Sequence, residues 1–306
     1  MKASKVRQGR IRRLICVATA IALVIVLAGC GGASQSTKEP ATLDYIVKPG
    51  KADQYIHSHP VGTTVRYDLN GDGVGEDISV YTHEYEAGKL MIGNDSVEIW
   101  SATPTGYFTI LNVDDSRDAL LVGISDYGPS DDPETIFYAY DGTSIREVGY
   151  LTDIFGQNQY GHASAVCNGD GTVVAGKRWD VLGTWNSAGM YQVNEYGITD
   201  ITEFYPYIDW DGNQGGWEVT TKVSLLMYNP NRPDDAGITV PAGTKVAMTG
   251  LQKGIQPDVF WVTFDVQSMG RTLGITVQRI DWYTCVYSGF GFITSEDAFD
   301  GFFYAG

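Results

Sequence analysis

The sequence predicts an all-β fold, and three observations support this class. From residue 43 onward the chain is rich in Tyr, Trp, Thr and Val, which favour strands. Asp-Gly dipeptides, which favour tight turns, occur at residues 72–73, 141–142, 170–171, 211–212 and 300–301. Few windows keep a helical period without Gly or Pro, and residues 295–299 are the best helical candidate. Residues 137–140 and 145–148 predict a hairpin around one Asp-Gly turn.

An export signal precedes this predicted fold. Residues 1–13 carry six basic residues and no acid, and an uncharged apolar run continues to Gly29. A basic segment followed by a short apolar segment is typical of a signal peptide, and the run is short for a membrane-spanning helix. An ordinary secretory signal and an uncleaved signal anchor are the alternatives, and both place the following chain outside the membrane.

The end of the apolar run, Leu27-Ala28-Gly29-Cys30, resembles the lipobox of bacterial lipoproteins. In that family the cysteine receives a lipid, and cleavage leaves it as the first residue. The resemblance implies that residues 1–29 are a lipoprotein signal peptide and that lipid on Cys30 anchors an extracytoplasmic protein to the membrane.

Residues 30–42 form a predicted tether, since residues 31–42 consist of Gly, Ala, Ser, Thr, Gln, Lys, Glu and Pro. Removal of residues 1–29 leaves 15 Lys and Arg against 37 Asp and Glu, a net charge near −22. Such a body repels nucleic acid and anionic lipid surfaces but can bind cations. The charge therefore excludes nucleic acid as a partner.

A Gly-rich stretch at residues 209–217 separates two regions dense in strand-forming residues. It predicts a domain of β-repeats at residues 43–216 and a smaller domain at 217–306. The mature chain keeps two thiols besides Cys30, namely Cys167 and Cys285. Export permits a disulfide between them, but their apolar neighbours favour buried thiols, so the sequence leaves this pairing open.

The motif with the clearest chemistry is the loop at residues 68–76, in which oxygen ligands alternate. Asp68, Asn70, Asp72 and Glu76 supply side-chain oxygens, and Val74 offers its backbone carbonyl. Calcium binds about six to eight such oxygens, and the two glycines within the loop allow the tight turn that brings the ligands together. The spacing predicts a structural calcium site, with an ion-free Asp-Gly turn as the alternative.

This loop is not an EF-hand, because Ser79 stands where the closing glutamate is needed and a predicted strand follows. It resembles the calcium loops of FG-GAP and related β-propeller-type repeats, in which the motif leads directly into a strand. Residues 112–118 are a degenerate second copy without the glycines. The resemblance implies a propeller-like or meander β-repeat domain.

Residues 217–306 resemble a bacterial Src-homology-three-like barrel in their strand at 223–228, Pro-Ala-Gly-Thr turn at 241–244 and Trp-containing strand at 260–264. Strand-like residues at 281–287 depart from that pattern. Residues 124–133 are similar to a segment of uncharacterised Gram-positive lipoproteins that carry such a small barrel. Barrels of this class bind cell-wall peptide or glycan, which implies four aromatic ligand contacts: Trp261, Trp282, Tyr283 and Tyr287. Filling a small core is their alternative role.

The sequence contains no Gly-x-Ser-x-Gly elbow, zincin pair, phosphate loop or reactive-cysteine signature. His57 and His59 would lie on one side of a strand, but the sequence indicates no third ligand, which favours an exposed pair. We therefore expect a non-enzymatic, calcium-stabilised surface lipoprotein that binds cell-wall polymer or a protein partner. Two alternatives are a cell-wall or glycan hydrolase using loop carboxylates such as Asp126 and Asp131, and an envelope accessory or sensor subunit.

Overall fold

The computed structural model describes residues 55–83, 86–101, 103–128, 133–156, 165–209, 214–280 and 283–304. The structure is 62% strand and 4% helix, which confirms the predicted all-β class. The predicted signal peptide, the lipidation site Cys30 and the tether lie outside the described residues. Among the residues described, no helix has the length and apolar character needed to cross a membrane.

The chain divides into two compact units. Among the described residues, the N-terminal unit contains 55–177 together with Ala188–Thr202, and the C-terminal unit contains Arg178–Ser187 and the residues from Glu203 onward. The predicted domains were 43–216 and 217–306. Residues 178–187 and 203–216, which this prediction placed in the first domain, belong to the C-terminal unit.

The N-terminal unit contains three sheets built mainly from strands that are consecutive in the chain. The central sheet contains, in spatial order, β1 (Ile56–Pro60), β6 (Pro104–Leu111), β7 (Leu121–Asp126), β8 (Glu134–Tyr140) and β9 (Ile145–Leu151). A second sheet contains β2 (Thr64–Tyr67), β3 (Glu76–His83), β4 (Glu86–Ile92) and β5 (Asp95–Ser101). The third contains β10 (Val166–Cys167), β11 (Thr172–Asp180), β12 (Thr184–Asn194) and β13 (Gly197–Asp200).

The central sheet is buried on both faces, which explains why every residue of β7 is buried. Because side chains alternate between the faces of a strand, Leu121 packs into one apolar core and Val122 into another. The first core includes Val173 and Val193 of the third sheet, and the second includes residues of β3 and β4. The sequence signal for this arrangement is the continuous apolar run at residues 120–124.

The C-terminal unit is built on one large sheet that curls into a half-barrel. In spatial order it contains β22 (Phe292–Thr294), β21 (Tyr283–Tyr287), β20 (Arg271–Ile280), β19 (Val259–Val266), β18 (Lys245–Lys253), β15 (Trp217–Thr221) and β23 (Phe299–Asp300), and β14 (Tyr205–Pro206) also pairs with β18. A hairpin of β16 (Leu225–Met227) and β17 (Ile238–Val240) accompanies it. A barrel-like module is therefore present, and its likeness to a Src-homology-three-like barrel stays a prediction.

Several local predictions are confirmed. The hairpin predicted at 137–148 is formed by β8 and β9, with Tyr140 opposite Ile145. The strand expected directly after the acidic loop is β3. The one helical candidate forms α1 (Ser295–Ala298), whose first turn is capped by Thr294, the acceptor for the Asp297 backbone N–H. A single 3-10 turn at Gln267–Met269 connects β19 to β20.

Cys167 and Cys285 are buried thiols, and no disulfide joins them in the structure. Cys167 packs in a core of the N-terminal unit, and Cys285 packs beside Phe292 in the C-terminal unit. Burial raises the pKa of the Cys167 thiol to about 11. The buried-thiol alternative, and not the disulfide, is what the structure contains.

Candidate functional site

The loop between β2 and β3 is wrapped around the carboxylate of Asp68. One oxygen, Oδ1, accepts hydrogen bonds from the backbone N–H groups of Gly71 at 2.8 Å and Asp72 at 3.1 Å. The other, Oδ2, accepts from the N–H of Gly73 at 2.8 Å. Gly71 and Gly73 have φ values of 75° and 85°, a left-handed conformation that glycine adopts without strain. Asp68 thus holds the loop in the tight coil that the two glycines predict.

The remaining predicted ligands lie at different places around this coil. The Asn70 amide donates to Asp72 Oδ2 at 3.1 Å, and Asp72 Oδ1 accepts from the Val74 N–H at 2.8 Å. Glu76 begins β3, and its Oε2 accepts from the backbone N–H of Leu69 at 2.9 Å, which closes the base of the loop. The structure therefore joins the side chains of Asn70 and Asp72 to each other, whereas the carboxylates of Asp68 and Glu76 both accept hydrogen bonds from the main chain of the loop.

The donor types in this loop fit calcium, which takes carboxylate, amide and backbone oxygens. Over the described ranges, no three side chains of the His, Cys, Asp and Glu classes form a metal-binding group. A calcium ion here would thus depend on two carboxylates, Asp68 and Asp72, completed by the Asn70 amide and main-chain oxygens. Such a site suits a structural ion of modest affinity.

Three more aspartate turns lie at the same end of the N-terminal unit. Asp114, Asp141 and Asp170 each accept a hydrogen bond from the backbone N–H two residues further on, at 2.9 to 3.0 Å. Hydrogen bonds from Ser116 lower the pKa of Asp114, and those from Thr143 and Ser144 lower the pKa of Asp141 to about 2. Both carboxylates are therefore negatively charged at neutral pH.

These turns are in direct contact with one another. The Leu120 N–H donates to the carbonyl of Leu69 at 2.9 Å, and the Asp115 N–H donates to that of Gly169 at 2.9 Å. A Cβ at Gly142 would lie 2.7 Å from the Asn70 amide nitrogen. Burial is the largest cause of the raised pKa of Tyr140. The negative charges around it raise this pKa further, and they belong to Asp95, Glu76, Asp141 and Asp72. One end of this unit thus carries several contacting turns, each stabilised by an aspartate carboxylate.

The degenerate second copy, residues 112–118, is one of these turns. Asp114 stabilises it, and the guanidinium of Arg117 forms a salt bridge with Glu195. The side chains of Asp114 and Arg117 are thus engaged in contacts within the protein.

Asp126 is one of the two loop carboxylates named for the hydrolase alternative. It is buried, and its hydrogen bonds connect parts of the fold. It ends β7 and accepts hydrogen bonds from the Thr103 N–H at 3.1 Å, the Gly128 N–H at 2.5 Å and the Ser101 hydroxyl. These bonds connect the β5–β6 turn to the end of β7. Asp131 lies outside the described residues. Glu134 of β8 is directly opposite Asp126, and burial, followed by the charges of Asp126 and Glu147, raises the pKa of Glu134.

The outward face of the C-terminal sheet carries two of the four predicted contact aromatics. Phe260 and Val262 belong to the core, so Trp261 between them points outward and is half-buried. The same alternation places Tyr287, which follows the core residue Val286, on this face. Trp282 lies outside the described residues. Tyr283 begins β21, and only its backbone position is described.

A glycine and a second tyrosine complete this surface. The indole of Trp261 lies across Gly274 of β20, where any Cβ would collide with the ring. Tyr228 exchanges two backbone hydrogen bonds with Gly274, at 2.9 and 2.7 Å, and its ring centre is 6.3 Å from that of Trp261. Burial raises the pKa of Tyr228, and nearby Tyr287 raises it further. We call Tyr228, Trp261, Gly274 and Tyr287 the aromatic face.

The polar neighbours of Trp261 in the sheet are uncharged. Gln252 of β18 and Thr276 of β20 are its register partners on either side, exposed and half-exposed respectively. Sequence reasoning missed Tyr228, Gly274, Gln252 and Thr276. The available signals were the tyrosine at the end of the predicted 223–228 strand and the glycine inside an otherwise β-branched strand.

Comparisons of the chain with protein-family models, with curated proteins and with solved structures find no match.

Calcium is expected to stabilise the protein through Asp72. Adding calcium to the metal-free chain should raise the melting temperature measured by calorimetry, since an ion at a hundredfold excess over its Kd stabilises by about 2.7 kcal/mol. Asp72→Ala should remove most of that rise, because it deletes one of the two carboxylates. Asp234→Ala, which removes an exposed carboxylate in the C-terminal unit, is the matched control. An equal rise in Asp72→Ala, or none in the unaltered chain, contradicts a calcium site here.

The raised pKa of Glu134 predicts a stability that falls as the pH rises. The folded state favours the neutral acid, so this contribution is complete below the ordinary pKa of 4.5 and is lost as pH rises through the folded value. Glu134→Gln should therefore melt at a higher temperature than the unaltered chain at pH 7, and the difference should vanish below the ordinary pKa. Glu86→Gln, at an exposed position of β4, is the control. A difference independent of pH would refute this explanation.

Proposed function

We propose that this protein is a non-enzymatic, extracytoplasmic lipoprotein that binds a neutral cell-wall glycan at the aromatic face. The observation that supports the proposal is the position of Trp261. Its ring lies across Gly274 on the outward side of the sheet, between Gln252 and Thr276.

The chemistry of this surface matches a sugar. The apolar C–H faces of a pyranose ring stack on the negative face of an aromatic ring, and the outward side of Trp261 offers such a face. Sugar hydroxyls both donate and accept hydrogen bonds, as do the Gln252 amide, the Thr276 hydroxyl and the Tyr228 phenol. A few polar groups around an aromatic surface fix the orientation of a ligand.

Charge favours the glycan over the anionic polymers of a cell wall. After loss of residues 1–29 the chain has a net charge near −22, which repels polyphosphate-type polymers. A neutral glycan strand carries no such penalty. Calcium in the acidic loop would have a structural role in this proposal, and lipid on Cys30 would hold the protein at the outer face of the membrane.

The environment of Asp126 supports binding in preference to hydrolysis. Asp126 is 9% exposed, and its carboxylate accepts hydrogen bonds from three neighbouring residues that connect parts of the fold. A glycosidase needs two carboxylates that face a substrate cleft. No feature of the described residues favours the accessory or sensor subunit over a glycan-binding protein.

Retention on purified peptidoglycan tests the proposal. Trp261→Ala should lower the affinity at least about tenfold, as expected when a central aromatic contact is removed. Trp100→Ala removes an indole that is 63% exposed in the N-terminal unit and should bind as the unaltered chain does. Melting curves of both variants establish that they fold. Failure of the unaltered chain to bind, or wild-type retention of folded Trp261→Ala, would exclude the aromatic face as a glycan site; retention abolished by added wall peptide alone would indicate a peptide ligand instead.

A further inference from the structure

Two histidines of β1 and one tyrosine of β2 meet at the edge of the central sheet. His57 and His59 are two residues apart on an edge strand, so their side chains leave the same face. The ring of Tyr67, the last residue of β2, is 6.2 Å from that of His57 and 5.6 Å from that of His59, measured between ring centres. Both imidazoles therefore flank one phenol, although no motif in the sequence connects the three residues.

His59 is the most firmly held of the three. Its Nε2 is 3.0 Å from the Tyr67 hydroxyl oxygen. The centre of its ring is 5.5 Å from the ring centre of the buried Phe108. Burial, followed by the charge of His57, lowers the pKa of His59. His57 is exposed to solvent.

We propose that His57, His59 and the Tyr67 hydroxyl bind one late first-row divalent transition ion, such as Cu²⁺, Ni²⁺ or Zn²⁺. Imidazole nitrogens are preferred ligands of these ions, and the Tyr67 oxygen supplies the third donor that the sequence did not indicate. The phenol is not among the His, Cys, Asp and Glu groups, none of which combine in threes within the described part of the chain. Burial raises the pKa of the Tyr67 phenol, so the bound ion itself has to displace the phenolic proton, which passes to solvent, and water completes the coordination on the exposed side of His57.

This site differs in chemistry from the acidic loop. The loop offers only oxygen donors, which suit calcium, whereas two nitrogen donors favour the softer transition ions. The strongly negative chain attracts cations of either kind, and ligand type then decides where each ion binds.

Copper is the most informative probe, because it binds most tightly in the divalent series and can be observed spectroscopically. The purified full chain, without a histidine tag, is titrated with Cu²⁺ while excess calcium occupies the oxygen sites. We expect one tightly bound ion per chain, two coordinated imidazoles by pulsed electron paramagnetic resonance, and a phenolate-to-copper absorption band. His57→Ala and His59→Ala should each weaken binding at least about tenfold, since even outer-shell changes cost about 10- to 100-fold.

Two further variants complete the design. Tyr67→Phe keeps the ring packing but should lose the absorption band and part of the affinity. His83→Ala is the matched control, because His83 ends β3 whereas Tyr67 pairs with Glu76 at the start of that strand. Circular dichroism establishes that each variant folds. The proposal is overturned if the full chain does not bind copper, if both β1 variants bind as tightly as the unaltered chain, or if His83→Ala weakens binding equally. Tyr67→Phe with unchanged affinity and spectrum would overturn the three-donor site.

Discussion

Hydrogen bonds from backbone N–H groups to aspartate carboxylates are the interaction on which the turns at one end of the N-terminal unit depend. Asp68 accepts three backbone hydrogen bonds and thereby sets the path of the β2–β3 loop. The loop in turn contacts the neighbouring connections, through the bond between Leu120 and Leu69 and the close approach of Gly142 to Asn70. Ionised carboxylates are good acceptors for such N–H groups, but bringing them together accumulates negative charge. A cation bound in this loop, which we predict from the sequence, would offset part of that charge.

The two units offer different chemistry to their surroundings. The N-terminal unit presents charged oxygens and, at the edge of its central sheet, a group of two imidazoles and a phenol. The C-terminal unit presents an uncharged aromatic surface, which exists because Gly274 leaves room for the Trp261 ring. At the aromatic face, the absence of a Cβ at Gly274 makes room for the Trp261 ring. In the group of two imidazoles and a phenol, the third donor comes from a different strand from the two histidines.

The sequence predicted those features whose signals are local. The Asp-Gly turn and its flanking strands specify the β8–β9 hairpin, and Thr294 before two acids specifies the start of α1. The alternation around Trp261 gives it an outward position once the strand is known. Features formed by residues far apart in the chain were not predictable, since strand order is not encoded in any single window. Tyr67 beside His57 and Tyr228 beside Trp261 are such cases.

The division into compact units shows the same limitation. Composition shifts at residues 209–217, but the hairpin of β11 and β12 contributes residues 178–187 to the C-terminal unit, where Trp179 and Trp185 pack in its core. A change of composition along the chain cannot reveal that a short segment within one predicted domain belongs to the other unit. Glu76 is comparable, because its spacing matches a ligand position while its carboxylate hydrogen-bonds to Leu69.

Anomalous X-ray scattering from crystals grown with calcium would test most directly whether the crowded carboxylates hold a cation. We expect one calcium peak inside the loop at residues 68–76, within bonding distance of oxygens from Asp68, Asn70 and Asp72. An ordered loop without such a peak at millimolar calcium, with Asp68 bonded only to the main chain, would contradict it.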